Sequence, residues 1–468
     1  MSESKNISSA TLTAASANPK RAKKFGLLTM MSICIGLVVA QGAMISTAQG
    51  VGFGAMTFLA AMVAALAISQ CNAMSFAELS LMFPQKGTLA TYTQKAIGHV
   101  PAIVAVFAGY IVVSVLAVPV EMFMIDIILA KLLPGFVPDK TISLLILVGL
   151  TLTNLMGTDV FARIQNLLVL VMVSTIALVS CVAIMGAVQP HPALAGTPVD
   201  WGFARVTDFG FIGFIALSMW CFVGIEYICS LISEVKEPHK NIPRSMHLSL
   251  FVIFFLFVGF GYGITFYMDS ETLLSAKMPY VDFIMAVFGS STGLVITAVV
   301  ALAATSSSVN TILAAVPRMM HGMAEQGQLL PMFKKVNRYN VPWVATAVLS
   351  GSILIPYLLL DIDSIILFVI AASTSYLVAY LIAHLNVIVL RKRMPDHARP
   401  YRSPFFPVPQ LFAIVAILYV AINNSPSPEL TTSVYAITGG MLSFITLCSV
   451  IWVKFYMKRG IFEPDMDS

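Results

Sequence analysis

A chain of 468 residues with 58% hydrophobic and 10% charged side chains is far poorer in charge than a soluble domain, where roughly a quarter are charged. With a mean hydropathy of +0.89, it reads as an all-α polytopic membrane protein that has the lipid bilayer as partner. A net charge of +5, dispersed along the chain, is too small to argue for a nucleic-acid partner.

Residues 1–24 are rich in Ser, Ala and Lys and are expected to form a disordered cytoplasmic tail. Lys20-Arg21-Ala22-Lys23-Lys24 ahead of an apolar run imitates a signal peptide. The run is of span length and many more follow, so a retained first helix is expected. Apolar windows then fall at about 26–52, 54–80, 100–130, 141–156, 163–187, 209–235, 245–268, 291–316, 342–360, 364–390, 405–423 and 433–456. These give about twelve transmembrane helices, since ~20 apolar residues cross a bilayer.

The first window is broken by polarity. Gly36, Gln41 and Gly42 interrupt it around Val38-Val39-Ala40-Gln41-Gly42-Ala43-Met44. Backbone freed from a helix at that depth is tolerated only where protein or a wet cavity satisfies it. The sixth window has a similar interruption, Trp220-Cys221-Phe222-Val223-Gly224-Ile225-Glu226. Paired interrupted spans in corresponding halves mark a transporter's binding site. Residues 83–98 after span 2 and 278–289 after span 7 are also alike. An offset of five spans makes the repeat an inverted one, 25–187 and 204–395, within a core of 25–395. Two additional helices (396–457) and a cytoplasmic tail (458–468) follow.

Lys and Arg concentrate in the even-numbered loops, for example Lys236, Lys240 and Arg244, or Arg391, Lys392 and Arg393. Odd-numbered loops carry few, chiefly Lys140, Arg205 and Lys277. The positive-inside rule therefore predicts both termini in the cytoplasm, across an inner or plasma membrane.

Exposed N–H groups at the helix restart near Ala40, Gln41, Gly42, Ala43 and Met44 suit an anion. Gly224, with Cys221 and Val223, would leave carbonyls for an ammonium group. The expectation is a backbone cradle for a zwitterionic small-molecule substrate, with Trp220 capping it or stacking on a cation. Gly36 fits close helix packing better. Glu226 is the sharpest single residue. A mid-membrane carboxylate costs a few kcal/mol unless paired, protonated or wet, so it is a candidate for proton coupling or gating, against a purely structural role. Ser306, Ser307, Ser308 and Asn310 form a polar run in span 8 that could line the pocket, bond across helices, or provide a sodium position beside Ser306 and Ser307. Glu121 and Asp126 in span 3 carry outer-half charges of unassigned role, with Lys131 a candidate partner for Asp126. Six cysteines without a CxxC pair and seven histidines without ligand spacing point to no disulfide framework, metal centre or cofactor.

Several of these stretches resemble a known family. Trp220 to Glu226 runs on through Ser233-Glu234-Val235-Lys236-Glu237-Pro238 to Arg244. Phe76-Ala77-Glu78-Leu79, Phe83-Pro84-Gln85-Lys86-Gly87, Arg163-Ile164-Gln165-Asn166, Ala324-Glu325-Gln326-Gly327, and Leu390-Arg391-Lys392-Arg393 with Arg399-Pro400 accompany it. Together they resemble the amino acid–polyamine–organocation superfamily over nearly the whole chain. The resemblance implies a leucine-transporter-like fold of five plus five inverted spans and two extra. It also implies secondary uptake or exchange of amino acids by alternating access, proton-linked or as an exchanger. A polyamine or cationic amino-acid antiporter is the alternative. It places Ala40 to Met44 on the family's Gly-Ser-Gly-Ile type of break, Trp220 on the aromatic gate and Glu226 on the gating Glu. Ala40 and Gln41 depart from that pattern. Met172 stands where many members have a lysine, which leaves lysine-based coupling without its residue. An enzyme is disfavoured for lack of any catalytic constellation, and a channel or sensor for lack of a selectivity sequence or appended domain.

Overall fold

A computed structural model describes residues 25–465 apart from 136, 137, 139, 193, 195, 204–209 and 425–427. The expected tail at 1–24 lies outside the described residues. Among those described the chain is helical, and its one β feature is an isolated parallel bridge between Phe25 and Val235.

The first apolar window is two helices, α1 (Leu27–Val38) and α2 (Gln41–Phe53), bent by 62° at the break. α3 (Ala55–Met82) follows, then the short α4 (Leu89–Ala96). α5 (His99–Val106) runs through a single π turn into α6 (Val112–Leu132). α7 (Thr141–Leu155) and α8 (Thr158–Met185) complete the first half. The second half opens with α9 (Gly210–Met219), a turn, and a ten-residue 3-10 helix over Ile225–Glu234. It continues with α10 (Pro238–Ile264), the loop helix α11 (Ser270–Ser275) and the short α12 (Pro279–Phe288). α13 (Ser290–Glu325), α14 (Trp343–Leu359), α15 (Ile362–Arg393), α16 (Val408–Ile422) and α17 (Pro428–Ile451) end the bundle.

Seven of the described helices are long and apolar enough to cross a membrane, eight if α1 and α2 count as one span. α7, α12, α14 and α16 are shorter apolar helices. α4 and α12 occupy the two loop stretches that looked alike in sequence.

α13 organises the packing. At 1.5 Å per residue its length is about 54 Å, well beyond a ~30 Å hydrocarbon core. Buried Ala298, Ala301, Ala304, Ala314 and Ala315 let neighbouring backbones close in, and polar residues bind across the seam. Asn154 Nδ2 donates to Asn310 Oδ1 (2.8 Å), Asn310 Nδ2 to Gln165 Oε1 (2.9 Å) and Gln165 Nε2 to Ser307 Oγ (2.8 Å). This amide chain ties α7, α8 and α13. Gly36 sits on the same knot: a Cβ there would stand 2.1 Å from Ser307 Oγ and 2.2 Å from Gln165 Nε2. Its smallness serves close packing, as the sequence suggested.

At one end of the bundle Glu78, fully buried, receives Arg391 Nε (2.8 Å) and Nη2 (2.6 Å), with Arg399 Nε at 3.5 Å. The Ser403 N–H adds a bond of 2.7 Å. Motif residues more than 300 positions apart thus form one ion cluster. Elsewhere, Phe25 N–H donates to Glu234 O and Lys236 N–H to Phe25 O, both at 2.9 Å, clipping the start of the described chain to the exit of the 3-10 segment.

Candidate functional site

The break between α1 and α2 begins at Val39, one residue after the helix ends, and Ala40 is extended (φ −102°, ψ 170°). In the other half, Gly224 adopts φ +114°, a conformation that costs an L-residue about 1–2 kcal/mol. A Cβ would also meet Leu37 Cδ2 at 2.8 Å. The sixth-span break therefore packs against the end of α1 at Gly224, where a larger residue would not fit. A 3-10 run of this length is unusual, since such runs seldom exceed 3–4 residues.

Between the breaks lies a cavity of about 450 Å³, within the range for small-molecule sites. Ala40, Gly42 and Ala43 line it from span 1, and Trp220, Val223 and Gly224 from span 6. Its walls are largely apolar, with Val118, Met124 and Ile312 among them, and its polar groups include Glu121, Ser308 and Tyr376. Toward one end of the bundle it reaches exposed Lys277 and half-buried Asn423 and Asn424.

The donors at the start of α2 face a carboxylate that belongs to the chain itself. Gln41 N–H donates to Glu121 Oε2 (3.2 Å), Gly42 N–H to Glu121 Oε1 (3.1 Å), and Thr305 Oγ1 to Oε2 (3.1 Å). Glu121 is 9% exposed. The positive pole of a helix, worth about half a unit charge, is neutralised from α6. Gln41 is buried and its side chain is spent on structure. Its Nε2 donates to Thr305 Oγ1 (2.7 Å) and Glu121 O (3.2 Å), and Tyr280 donates to its Oε1. Asp126 turns elsewhere, accepting from Tyr357 (2.5 Å) and Ser143 (3.0 Å).

Glu226, 1% exposed, lies directly behind the cavity wall. Tyr376 donates to its Oε1 and Tyr380 to its Oε2 (3.0 Å). Tyr376 lines the cavity, so its hydroxyl bridges the pocket and the carboxyl group. Gly224 N–H donates to Tyr380 Oη at 3.4 Å, joining this cluster to the span-6 break. Tyr110 packs edge-on against Tyr227 and Tyr376, enclosing Glu226 in aromatic rings.

The remaining candidates lie off the cavity surface. Met44 and Cys221 are fully buried, and Cys221 Sγ donates to Ala43 O (3.7 Å). Asn310 and Ser307 belong to the amide chain described above, and Ser306 is half-buried. Met172 is fully buried. Tyr376, Tyr380 and Tyr280 went unnoticed in the sequence. The one available signal was the i, i+4 spacing of Tyr376 and Tyr380, which aligns them on one face of α15.

Comparison with known proteins agrees with this architecture. Residues 25–451 match the family model described as amino acid permease. The chain is 26% identical to the cystine/glutamate transporter of Pongo abelii, over 92% of this chain and 86% of that one. It is 24% identical to a branched-chain amino acid permease of Bacillus subtilis (88% and 90%). To the gamma-aminobutyric acid permease of Escherichia coli it is 25% identical (90% and 92%). In structure it resembles a mutant of the Eremococcus coleocola manganese transporter, with a TM-score of 0.59 and 13% identity over 91% of this chain and 95% of that one. That likeness establishes the leucine-transporter-like fold.

Proposed function

The chain belongs to the amino acid permease family, and from that premise we propose that it moves amino acids across a membrane by alternating access. It is a transporter and not an enzyme. The observation that carries this reading is the 450 Å³ cavity held between the two helix breaks. Both breaks contribute wall, so any shift of one half against the other reshapes the pocket.

The loop charges argue for cytoplasmic termini in an inner or plasma membrane. Under that orientation the cavity extends toward the outer face through Lys277, Asn423 and Asn424. The inner side is sealed by the Phe25–Val235 bridge and the tyrosine-bound Glu226.

Glu226 is the proton-coupling group in this reading. It is buried, and among the described residues its oxygens are held by tyrosine hydroxyls without a paired cation. A carboxyl group in that setting changes charge at the cost of reorganising its neighbours, so its protonation and the closure of Tyr376 over the cavity are linked. The small-molecule substrate binds across Ala40, Gly42 and Ala43 on one side and Trp220, Val223 and Gly224 on the other.

Uptake and counterflow of each amino acid in reconstituted vesicles, with and without a pH or sodium gradient, test the proposal. Saturable uptake of at least one amino acid is expected, stimulated by an inward proton gradient. Absence of both uptake and exchange across the panel would overturn it.

A further inference from the structure

We propose that the start of α2 is a subsite for the substrate's ammonium group, with Glu121 as the residue that accepts it. The proposal rests on the transport reading above and names the substrate chemistry that this site selects.

A substrate carboxylate would need vacant N–H donors at the helix restart, and these are spent. Gln41 and Gly42 donate to Glu121, while Ala43 and Met44 donate back to Ala40 O at 3.1 and 3.3 Å. A second anion arriving there would also meet the charge of Glu121 across an apolar, weakly screening wall. To take its place, the newcomer would have to break three charge-assisted bonds merely to remake them.

An ammonium group meets the opposite situation. A carboxylate accepts in about four positions, and the donors on Glu121, from Gln41, Gly42 and Thr305, are all neutral groups that leave its charge without a cation. Glu121 lines the cavity, and no cation pairs with it among the described residues. The helix pole compensates only about half a unit charge, so the site keeps a net attraction for a cation. Val118, Met124 and Ile312 nearby suit an apolar body attached to that group. The class of ligand is a primary ammonium on an apolar or extended chain, for which an α-carboxylate is not required at this end of the pocket.

Matched probes separate the two polarities. Purified full-length protein in vesicles is offered a labelled transported amino acid, competed by its decarboxylated amine and by its deaminated acid. Leucine, isoamylamine and 4-methylpentanoate form one such set; arginine, agmatine and 5-guanidinopentanoate form another. The amine is expected to compete within about tenfold of the parent and the acid not at all. Glu121→Gln should weaken the amine about 10- to 100-fold, the scale of one ionic hydrogen bond. Competition by the acid with an inert amine would overturn the proposal, as would a folded Glu121→Gln protein with unchanged amine affinity. The wild-type comparison decides the matter if that variant does not fold. Transport of amino acids with an inert amine sinks this inference alone, whereas no transport of any probe sinks the functional reading beneath it.

Discussion

The Tyr280 hydroxyl donates to Gln41 Oε1 at 2.5 Å, reaching the first residue of α2 from 239 positions further along the chain. Both residues are fully buried, so α12 fixes the side of the helix break opposite the cavity. Tyr280→Phe leaves an amide acceptor dry and unmet, a loss of about 1–3 kcal/mol. Thermal unfolding in detergent should register it. Tyr262→Phe, at a ring 44% exposed, should leave the midpoint unmoved.

Glu226→Gln keeps the size of the side chain and removes its titration. Uptake measured across pH should become flat, and rates at acid and alkaline pH should converge. Tyr376→Phe should lower uptake at every pH while retaining a slope, since the carboxyl group is still present. A Glu226→Gln profile that overlays the wild type would remove this residue from coupling.

Gly224→Ala forces a β-carbon into the left-handed region and toward Leu37. The conformational cost is about 1–2 kcal/mol. Transport should fall far more than the melting temperature does, because the turn cannot keep its shape. Equal losses in both measurements would identify the glycine as a packing residue only.

Arg391→Ala strips the closest partner from Glu78, whose side chain has no exposure. Arg399, 3% exposed, and the Ser403 N–H still hold the carboxylate in that variant. Glu78→Gln instead leaves buried Arg399 and half-buried Arg391 together with no counter-charge, and an uncompensated buried charge costs about 3–5 kcal/mol. The order of unfolding midpoints, wild type above Arg391→Ala above Glu78→Gln, checks this.

Asp269 caps α11 from the loop outside the membrane-spanning helices, accepting Thr272 N–H at 2.8 Å. That bond holds its carboxyl below the usual carboxylate range. A lowered folded value means the cap's contribution is present above the unfolded value and disappears as pH falls through the folded one. Asp269→Ala should cost about 1 kcal/mol near pH 7. The gap between variant and wild type should narrow below about pH 4, read from unfolding midpoints at the two pH values.

Both helix breaks were legible because polar residues and glycine inside an apolar window carry a local signal. Gly36 was legible as a packing glycine for the same reason, and α4 and α12 from the likeness of the loops that hold them. Glu121 was visible as an odd charge, but its partner is the backbone of Gly42, 79 positions away, and no local pattern encodes that distance. The sequence therefore suggested a vacant anion cradle where the fold has already supplied the anion. Glu226 stood out alone for the same reason. Its tyrosines come from α15, 150 and 154 positions on, and nothing in their own neighbourhood announces what they face. Gln41 counted as a pocket residue on position, yet its amide is consumed by Tyr280, Thr305 and Glu121, contacts that exist only after four helices meet.

The short ladder at Phe25 joins main chain to main chain, with Glu234 and Lys236 as its rungs, so no single side-chain replacement can delete it. If the Glu234 end of the broken sixth segment is to swing aside, both rungs must unzip together and the amino terminus must travel with one party or the other. A dye placed just ahead of Phe25 would then flicker in step with turnover. A steady signal during active uptake would mean that this stitch holds throughout the cycle and that the passage opens somewhere else.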